Sequence, residues 1–445
     1  MLSIPTISAA AWYQKMFFLA VPALLTFVVT ITRLSDGLAL WALGLTFLIS
    51  QTGFQADIGP IRTSALEVVL LILLITLLAA RRKSDQGAPH MDNMPGYKWL
   101  LAFVAYSVFI LIVGLINGAS VSNALIQFKG FLLYPVIIYL MLAGVRSKTT
   151  LWLMILYMLF WYIFLSGQAL LGFVDHETID PYGDLYRASA DYAPINIFGI
   201  SAAVVSVLAF GLSLAIKTKG PQAFLLRVLG VILAFGALTS VSRASGIVLL
   251  VGLSVLAFAR GRRSLAVFLF IVVFIFVLFA LFPSAVFQPV VDRLFQLSDS
   301  STMRRWFYLE SGWQTLLHSW FLGVGWGNAS WYYPGLGLVP TGSIPWYHND
   351  YLNLAVQVGL PGLLLYAGFW ASFLRRLAVW LKTNASDDDG YVFALGGTAA
   401  LAAVLTGAFF EHILWRPDMA GLVMWVAGIA LVGTKLSGTE NVSAG

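Results

Sequence analysis

The sequence contains no cysteine among its 445 residues. This absence excludes a disulfide framework, a thiolate nucleophile and a thiolate metal site. Charged residues are also scarce, at 10% of the chain, whereas a soluble domain has about 25%. Because so little charge is available to face water, and because 60% of the residues are hydrophobic, the composition indicates a polytopic membrane protein.

Long apolar runs provide 13 candidate membrane spans, each close to the roughly 20 residues that cross a bilayer. The first two are short and tightly connected, so 12 spans fit equally well. No removable signal peptide is expected, since no small-residue cleavage site follows the first apolar run. We predict an all-α polytopic membrane protein with one integral domain over residues 1–445 and about 12 transmembrane helices. The runs are 16–34, 37–54, 64–80, 99–116, 129–145, 151–173, 195–216, 225–241, 244–259, 264–283, 351–374, 391–409 and 418–434.

Lysine and arginine recur in every second loop from residue 81 onward. By the positive-inside rule these loops, and the C-terminus, are cytoplasmic. They also explain the net charge of +6, so no nucleic acid partner is expected. Only the segment 284–350 is large on the opposite face, and its many Gly, Trp, Tyr and Pro residues predict a structured extracytoplasmic lobe.

The predicted outer face carries arginines that the rule does not explain. An arginine at a span end is costly unless it reaches the interface or has a function, and its planar fork of donors matches phosphate oxygens. A group of them suggests a diphosphate ligand; the alternative is that each pairs with an acid or reaches lipid headgroups. These residues are Arg187, Arg243, Arg293, Arg304, Arg305 and Arg416.

Metal ligands are not clustered in the sequence. The outer face has no HExxH or Asp-x-Asp pattern, and the adjacent Glu411 and His412 would diverge on a helix. The sequence therefore predicts no metal and no cofactor. The glycine-rich stretch GVGWGN at 323–328 lacks the strand and helix of a phosphate loop. We expect it to form a tight turn where two backbones approach closely.

The stretch 346–366, WYHNDYLNLAVQVGLPGLLLY, places His348 where an apolar segment begins. Alone, such a histidine is most simply a helix cap or an interface residue, but histidine also titrates near neutral pH and suits a general base. Asp350 could orient the imidazole, although capping the next helix is the simpler role. Gly359 and Pro361 predict a short amphipathic helix over 350–358, followed by the membrane helix proper over 361–374.

These residues resemble the signature of the O-antigen ligase and polymerase superfamily. The resemblance rests on HNDYLNLAVQVGLPGLLLY together with HSWFLGVGWGN at 318–328, SVSRAS at 240–245 and YRASADYAPINIFG at 186–199. It covers roughly residues 187–366. It departs from the family at Gln357, where glutamate is frequent, so no acid role is assigned there.

The resemblance implies a metal-independent, GT-C-like glycosyltransferase of the bacterial inner membrane, with its site facing the periplasm. Its donor would be a glycan on undecaprenyl diphosphate. Its acceptor would be lipid A–core in a ligase, or another lipid-linked glycan in a polymerase; the layout favours the ligase. We predict His348 as the catalytic base, with Asn196, Asn349 and Asp350 in support. The arginines predicted to bind the diphosphate are Arg187, Arg243 and one of Arg304 and Arg305.

Two other functional classes, a transporter and a structural subunit, stay open from the sequence. A transporter for lipid-linked glycan would usually show ionisable residues at mid-span and repeated halves, and neither is evident here. A structural subunit of an envelope assembly would leave the outer arginines unexplained.

Overall fold

The fold is known from a computed structural model. It describes residues 55–58, 61–64, 67, 70, 94–174, 195–214, 220–281, 300–340, 347–384, 389–414 and 416–437. The predicted spans 16–34 and 37–54, most of 64–80, and Arg187 and Arg293 lie outside these residues.

Twelve helices and two short antiparallel hairpins make up the described part of the chain. The strands are β1 (Gln55–Ile58) and β2 (Ile61–Ser64), which pair with each other, and β3 (Ser330–Tyr333) and β4 (Gly337–Pro340), which also pair. The helices are α1 (Tyr97–Ile116), α2 (Val121–Leu133), α3 (Val136–Gly144), α4 (Lys148–Val174), α5 (Ile195–Ser213), α6 (Pro221–Thr239), α7 (Arg243–Ala259), α8 (Arg262–Leu281), α9 (Ser300–His318), α10 (Asp350–Thr383), α11 (Asp389–Gly407) and α12 (Pro417–Ser437).

Eight of the helical segments in the described residues are long and apolar enough to cross a membrane, and α7 is a shorter apolar helix. The prediction of an all-α polytopic membrane protein is confirmed at this level. The total of about 12 spans stays a prediction, since the N-terminal runs are not described.

The bundle has inner and outer helices. In the most apolar windows of α5, α11 and α12, 83%, 83% and 89% of the residues are buried, against 28% for α1 and 33% for α6. Inner helices need a close approach of their backbones, which small residues permit. Gly211 of α5 lies on Gly396 of α11, and Gly397 lies on Ala430 of α12.

Helix α1 shows how an outer helix is divided between protein and lipid. Its buried residues recur at spacings of three and four, from Leu100 through Phe103, Ser107 and Ile110 to Gly114. This spacing makes one narrow seam along the helix. The other sides expose large apolar side chains such as Ile116, as expected of a helix that faces lipid.

Two boundaries differ from the sequence prediction. Helix α2 begins at Val121, where Ser120 accepts a hydrogen bond from the Asn123 N–H (3.2 Å), so helix occupies much of the segment 117–128 between the predicted spans 99–116 and 129–145. Helix α10 continues to Thr383, nine residues past the predicted end. Its predicted interruption is confirmed, because Gly359 has φ 73° and ψ 175° inside the helix.

Candidate active site

The carboxylate of Glu411 is the centre of a polar cluster at one end of the bundle. Glu411 follows α11, and its neighbours come from other elements: Asn196 at the start of α5, Arg305 on α9 and His348 just before α10. Asn196, His348 and Glu411 adjoin the ends of apolar helices and Arg305 lies on α9, so their contacts bring these four elements together. Glu411 is only 2% exposed, so its charge depends on these partners.

The two carboxylate oxygens of Glu411 have separate partners. Oε1 accepts a hydrogen bond from Asn196 Nδ2 (2.7 Å) and lies 3.5 Å from a terminal guanidinium nitrogen of Arg305. Oε2 lies 2.9 Å from His348 Nδ1 and 3.5 Å from His412 Nδ1. A buried carboxylate held on one side by donors is fixed in orientation, so its other oxygen can orient the imidazole of His348.

Burial raises the pKa of Glu411, but the hydrogen bond from His348 and the charges of His348, His412 and Arg305 outweigh burial and hold this pKa below its ordinary value. The carboxylate is therefore ionised at neutral pH. An ionised acceptor requires a proton on His348 Nδ1, which leaves Nε2 as the basic nitrogen of a neutral imidazole.

The backbone at His348 is strained. Its φ is +48°, in the left-handed region that costs a non-glycine residue roughly 1–2 kcal/mol. The ring stacks on Tyr308 of α9, with centroids 5.1 Å apart and planes 23° apart. Strain of this kind persists only where surrounding contacts fix it, and it is common at functional sites.

The start of α10 is fixed by residues on both sides of His348. Asn349 is the N-cap, and its Oδ1 accepts a hydrogen bond from the Leu352 N–H (3.0 Å). Buried Asp350 accepts hydrogen bonds from the N–H groups of Ile413 and Leu414 (2.6 and 2.7 Å). Asp350 therefore ties α10 to the loop that carries Glu411, and the acid that contacts the imidazole is Glu411 instead of Asp350.

The turn at 323–328 brings backbones into close approach, as predicted. Gly323, Gly325 and Gly327 all have positive φ. A Cβ on Gly325 would collide with the backbone of Gly114 in α1, and one on Gly323 would collide with the backbone at Gly359. Only glycine permits this approach, which binds the end of α9 to the break in α10.

A buried cluster of side-chain amides contacts this turn. Gln357 Oε1 accepts a hydrogen bond from the Gly327 N–H (3.0 Å), and its Nε2 bonds Asn353 Oδ1 (3.2 Å) and Gln127. Gln357 therefore holds the turn in place, as a neutral amide in a position where a charge would be buried.

Arg243 is the first residue of α7, after a turn fixed by serines. Ser245 Oγ donates to the Ser242 carbonyl (2.7 Å), and Ser240 Oγ donates to the Ala237 carbonyl (2.6 Å). Val241, in the same turn, has φ +47°, a rare value for a β-branched residue. The short residues of SVSRAS thus shape the turn before Arg243.

The two neighbouring arginines of α9 have different surroundings. Arg305 is half-buried and contacts Glu411, whereas Arg304 is exposed. The contact with Glu411 brings Arg305 into the cluster. Arg187 lies outside the described residues.

His348, Glu411 and His412 form the one His/Asp/Glu group among the described residues that is compact enough to hold a metal ion, with ligand atoms within 4.8 Å of one another. The expectation that Glu411 and His412 diverge is wrong, because residues 411 and 412 are not helical and both side chains turn toward one point. The prediction of a site that needs no metal stays a prediction.

Residues 228–367 match the family model described as O-antigen ligase. This match confirms the resemblance to the O-antigen ligase and polymerase superfamily over that segment of the chain. The match supports a ligase or polymerase function in polysaccharide biosynthesis, with glycan and lipid-linked substrates. A comparison with curated proteins gave no match.

The O-antigen ligase match contains Arg243, Arg304, Arg305 and His348, while Asn196 and Glu411 flank it. Sequence reasoning missed Glu411 as the contact of His348. The available signal was an acid between the end of one span and Pro417 at the start of the next. A short connection of this kind presents its side chains at the bundle end, where the other candidates lie.

Proposed function

We propose that this protein is a periplasmic-face glycosyltransferase of the inner membrane, which moves a glycan from undecaprenyl diphosphate to an acceptor hydroxyl. The observation that carries the proposal is the contact of His348 and Arg305 with one buried carboxylate, inside a chain with an O-antigen ligase match. A base and a diphosphate-binding cation at one bundle end are the groups that this reaction needs.

His348 acts on the acceptor. Its Nδ1–H donates to Glu411, so Nε2 takes the proton of the acceptor hydroxyl as that oxygen attacks C1 of the donor sugar. The imidazolium that forms is stabilised by the Glu411 carboxylate 2.9 Å away. Tyr308, stacked on the ring, limits its rotation.

The arginines act on the donor. The C1–O bond to the diphosphate breaks as the new C1–O bond forms, so the anomeric centre inverts and negative charge develops on the leaving lipid diphosphate. Fixed cations stabilise that charge without proton transfer. Arg305 and Arg243 are the candidates in the described residues, Arg187 is a third, and no metal is required.

The identity of the acceptor distinguishes a ligase from a polymerase. A single large outer segment beside the spans favours the ligase assignment, with lipid A–core as acceptor; an O-antigen or polysaccharide polymerase using the same donor is the alternative. Gene deletion followed by a lipopolysaccharide gel distinguishes them. Loss of all ladder bands with retained lipid-linked polymer supports the ligase, and a single repeat on core supports the polymerase. An unchanged gel contradicts both assignments for lipopolysaccharide.

A lipid-linked glycan transporter is the candidate of another class. It is tested in proteoliposomes that hold donor and acceptor on one side of the membrane only. Product formation supports the transferase. Movement of the donor across the bilayer without product would support the transporter.

A further inference from the structure

Helix α9 carries an exposed apolar stripe made of Met303, Trp306, Trp313 and Leu317. Their exposed fractions are 62%, 65%, 49% and 38%. At 3.6 residues per turn these positions lie along one side of the helix. An apolar face left open beside polar surface marks a site of interaction, yet α9 is not among the helices apolar enough to cross a membrane.

The opposite side of α9 is already occupied by the protein. Arg305 reaches Glu411, Tyr308 stacks on His348, and a Cβ on Gly312 would collide with Leu352 of α10. Ser311 and Thr315 are fully buried. These contacts fix the rotation of α9, so the stripe cannot turn inward and must face what surrounds the protein.

The stripe leads into the lipid-facing surface of the bundle. After α9, Trp320 is 84% exposed and Leu322 is also exposed, while the Phe321 carbonyl accepts a hydrogen bond from the Leu360 N–H (2.9 Å). Leu360 follows the break in α10 and begins its apolar continuation, where Leu364 is 66% exposed. Chain contacts thus place 320–322 at the level where α10 enters the bilayer.

A second contact places the segment after α9 at the same depth. Gly325 lies against Gly114, near the end of the lipid-facing helix α1, where Ile116 is exposed. Tryptophan is enriched at this depth of a membrane, where its ring meets both acyl chains and water. An amphipathic helix with an aromatic face lies in the interface plane instead of crossing it.

We propose that α9 lies in the interface of the leaflet on the side of the active site, with its stripe of Met303, Trp306, Trp313 and Leu317 embedded among the lipids. Glu310 is exposed on the stripe side of α9, between Met303 and Leu317. It bonds Gln314 (2.9 Å), and its charge keeps the helix at headgroup depth. If the proposed function holds, Arg305 then lies at the depth of a lipid-borne diphosphate, and the donor reaches it sideways from the leaflet.

The test uses the absence of cysteine. Trp306→Cys and Trp313→Cys each provide one labelling position for bimane, and Met303→Cys is a further stripe position if either protein folds poorly. Arg304→Cys is the matched control, since Arg304 is exposed and lies on the opposite side of α9 from Trp313. Each labelled protein is placed in phosphatidylcholine nanodiscs with and without headgroup spin-labelled lipid.

We expect the spin-labelled lipid to quench bimane at the stripe roughly twofold or more beyond bimane at position 304. Equal quenching at both would overturn the proposal, and the face would then serve a protein or glycan partner. Because fluorescence needs no turnover, this result is independent of whether the protein transfers glycan.

Discussion

Replacement of Glu411 by glutamine removes the charge that orients His348 and changes little in volume. Both oxygens of Glu411 accept contacts, whereas a glutamine side chain has one acceptor and one NH₂ group. If its oxygen faces His348, its NH₂ faces Asn196 and Arg305. Asn196 must then turn its amide over, and Arg305 loses its anionic partner.

The expected loss follows from the contact between His348 and Glu411. A hydrogen bond to a charged group contributes about 1.5–3 kcal/mol, and each 1.36 kcal/mol is tenfold in rate. The imidazolium forms only as the hydroxyl is deprotonated, so the loss falls on the transition state. We expect kcat of Glu411→Gln to fall roughly 10- to 150-fold, with little change in KM for the donor.

The assay is glycan transfer by purified protein in proteoliposomes, with kcat and KM measured separately. Glu310→Gln is the matched control, because it is the same substitution at an exposed position of α9. It should retain its activity. A Glu411→Gln protein with wild-type kcat would refute the orienting role of this carboxylate.

The same variant has a pH signature in stability. Because the folded-state pKa of Glu411 is lowered, its carboxylate stabilises the fold fully above the ordinary glutamate pKa of about 4.3 and loses this effect as the pH falls through the lower folded value. The melting temperatures of wild type and Glu411→Gln should therefore differ most near neutral pH and converge in acid. A difference that stays constant from pH 7 to pH 3.5 would contradict this reasoning.

The remaining predictions concern the arginines and the glycine turn. Arg305→Lys should lower kcat/KM for the donor about 10-fold or more, since the two-pronged contact with phosphate is lost, while Arg304→Lys should stay within about threefold; equal losses would contradict the assignment of Arg305. Gly325→Ala should destabilise the protein by at least about 2 kcal/mol, through positive φ and a backbone collision. Gly335 has positive φ but no neighbour within 4 Å, so Gly335→Ala carries only the backbone cost of positive φ. Equal melting temperatures of the Gly325→Ala and Gly335→Ala proteins would refute the packing argument.

Glycine and proline positions predicted the break in α10 and the tight turn at 323–328, because backbone conformation there depends on the residue itself. Gly359 and Pro361 marked the break in α10, since one permits positive φ and the other suits a first helical turn. The glycines of 323–328 marked a close backbone approach. His348 was predicted as the base from the resemblance of its surrounding motif to the family signature, since a histidine at the edge of an apolar segment is by itself most simply a cap or an interface residue.

The partner of His348 was not predictable in this way. Glu411 lies 63 residues after His348 and 215 after Asn196, so only the packing of α5, α10 and α11 brings them together. Its convergence with His412 also required a non-helical connection, which an apolar periodicity does not reveal. For the same reason the choice between Arg304 and Arg305 needed the rotation of α9.

The account depends most directly on His348 as the base. In proteoliposomes with undecaprenyl diphosphate-linked glycan and lipid A–core, His348→Ala should abolish transfer while the protein still inserts and folds. His318→Ala, at an exposed histidine at the end of α9, should transfer at the wild-type rate. Transfer by His348→Ala at near the wild-type rate would contradict the proposed mechanism.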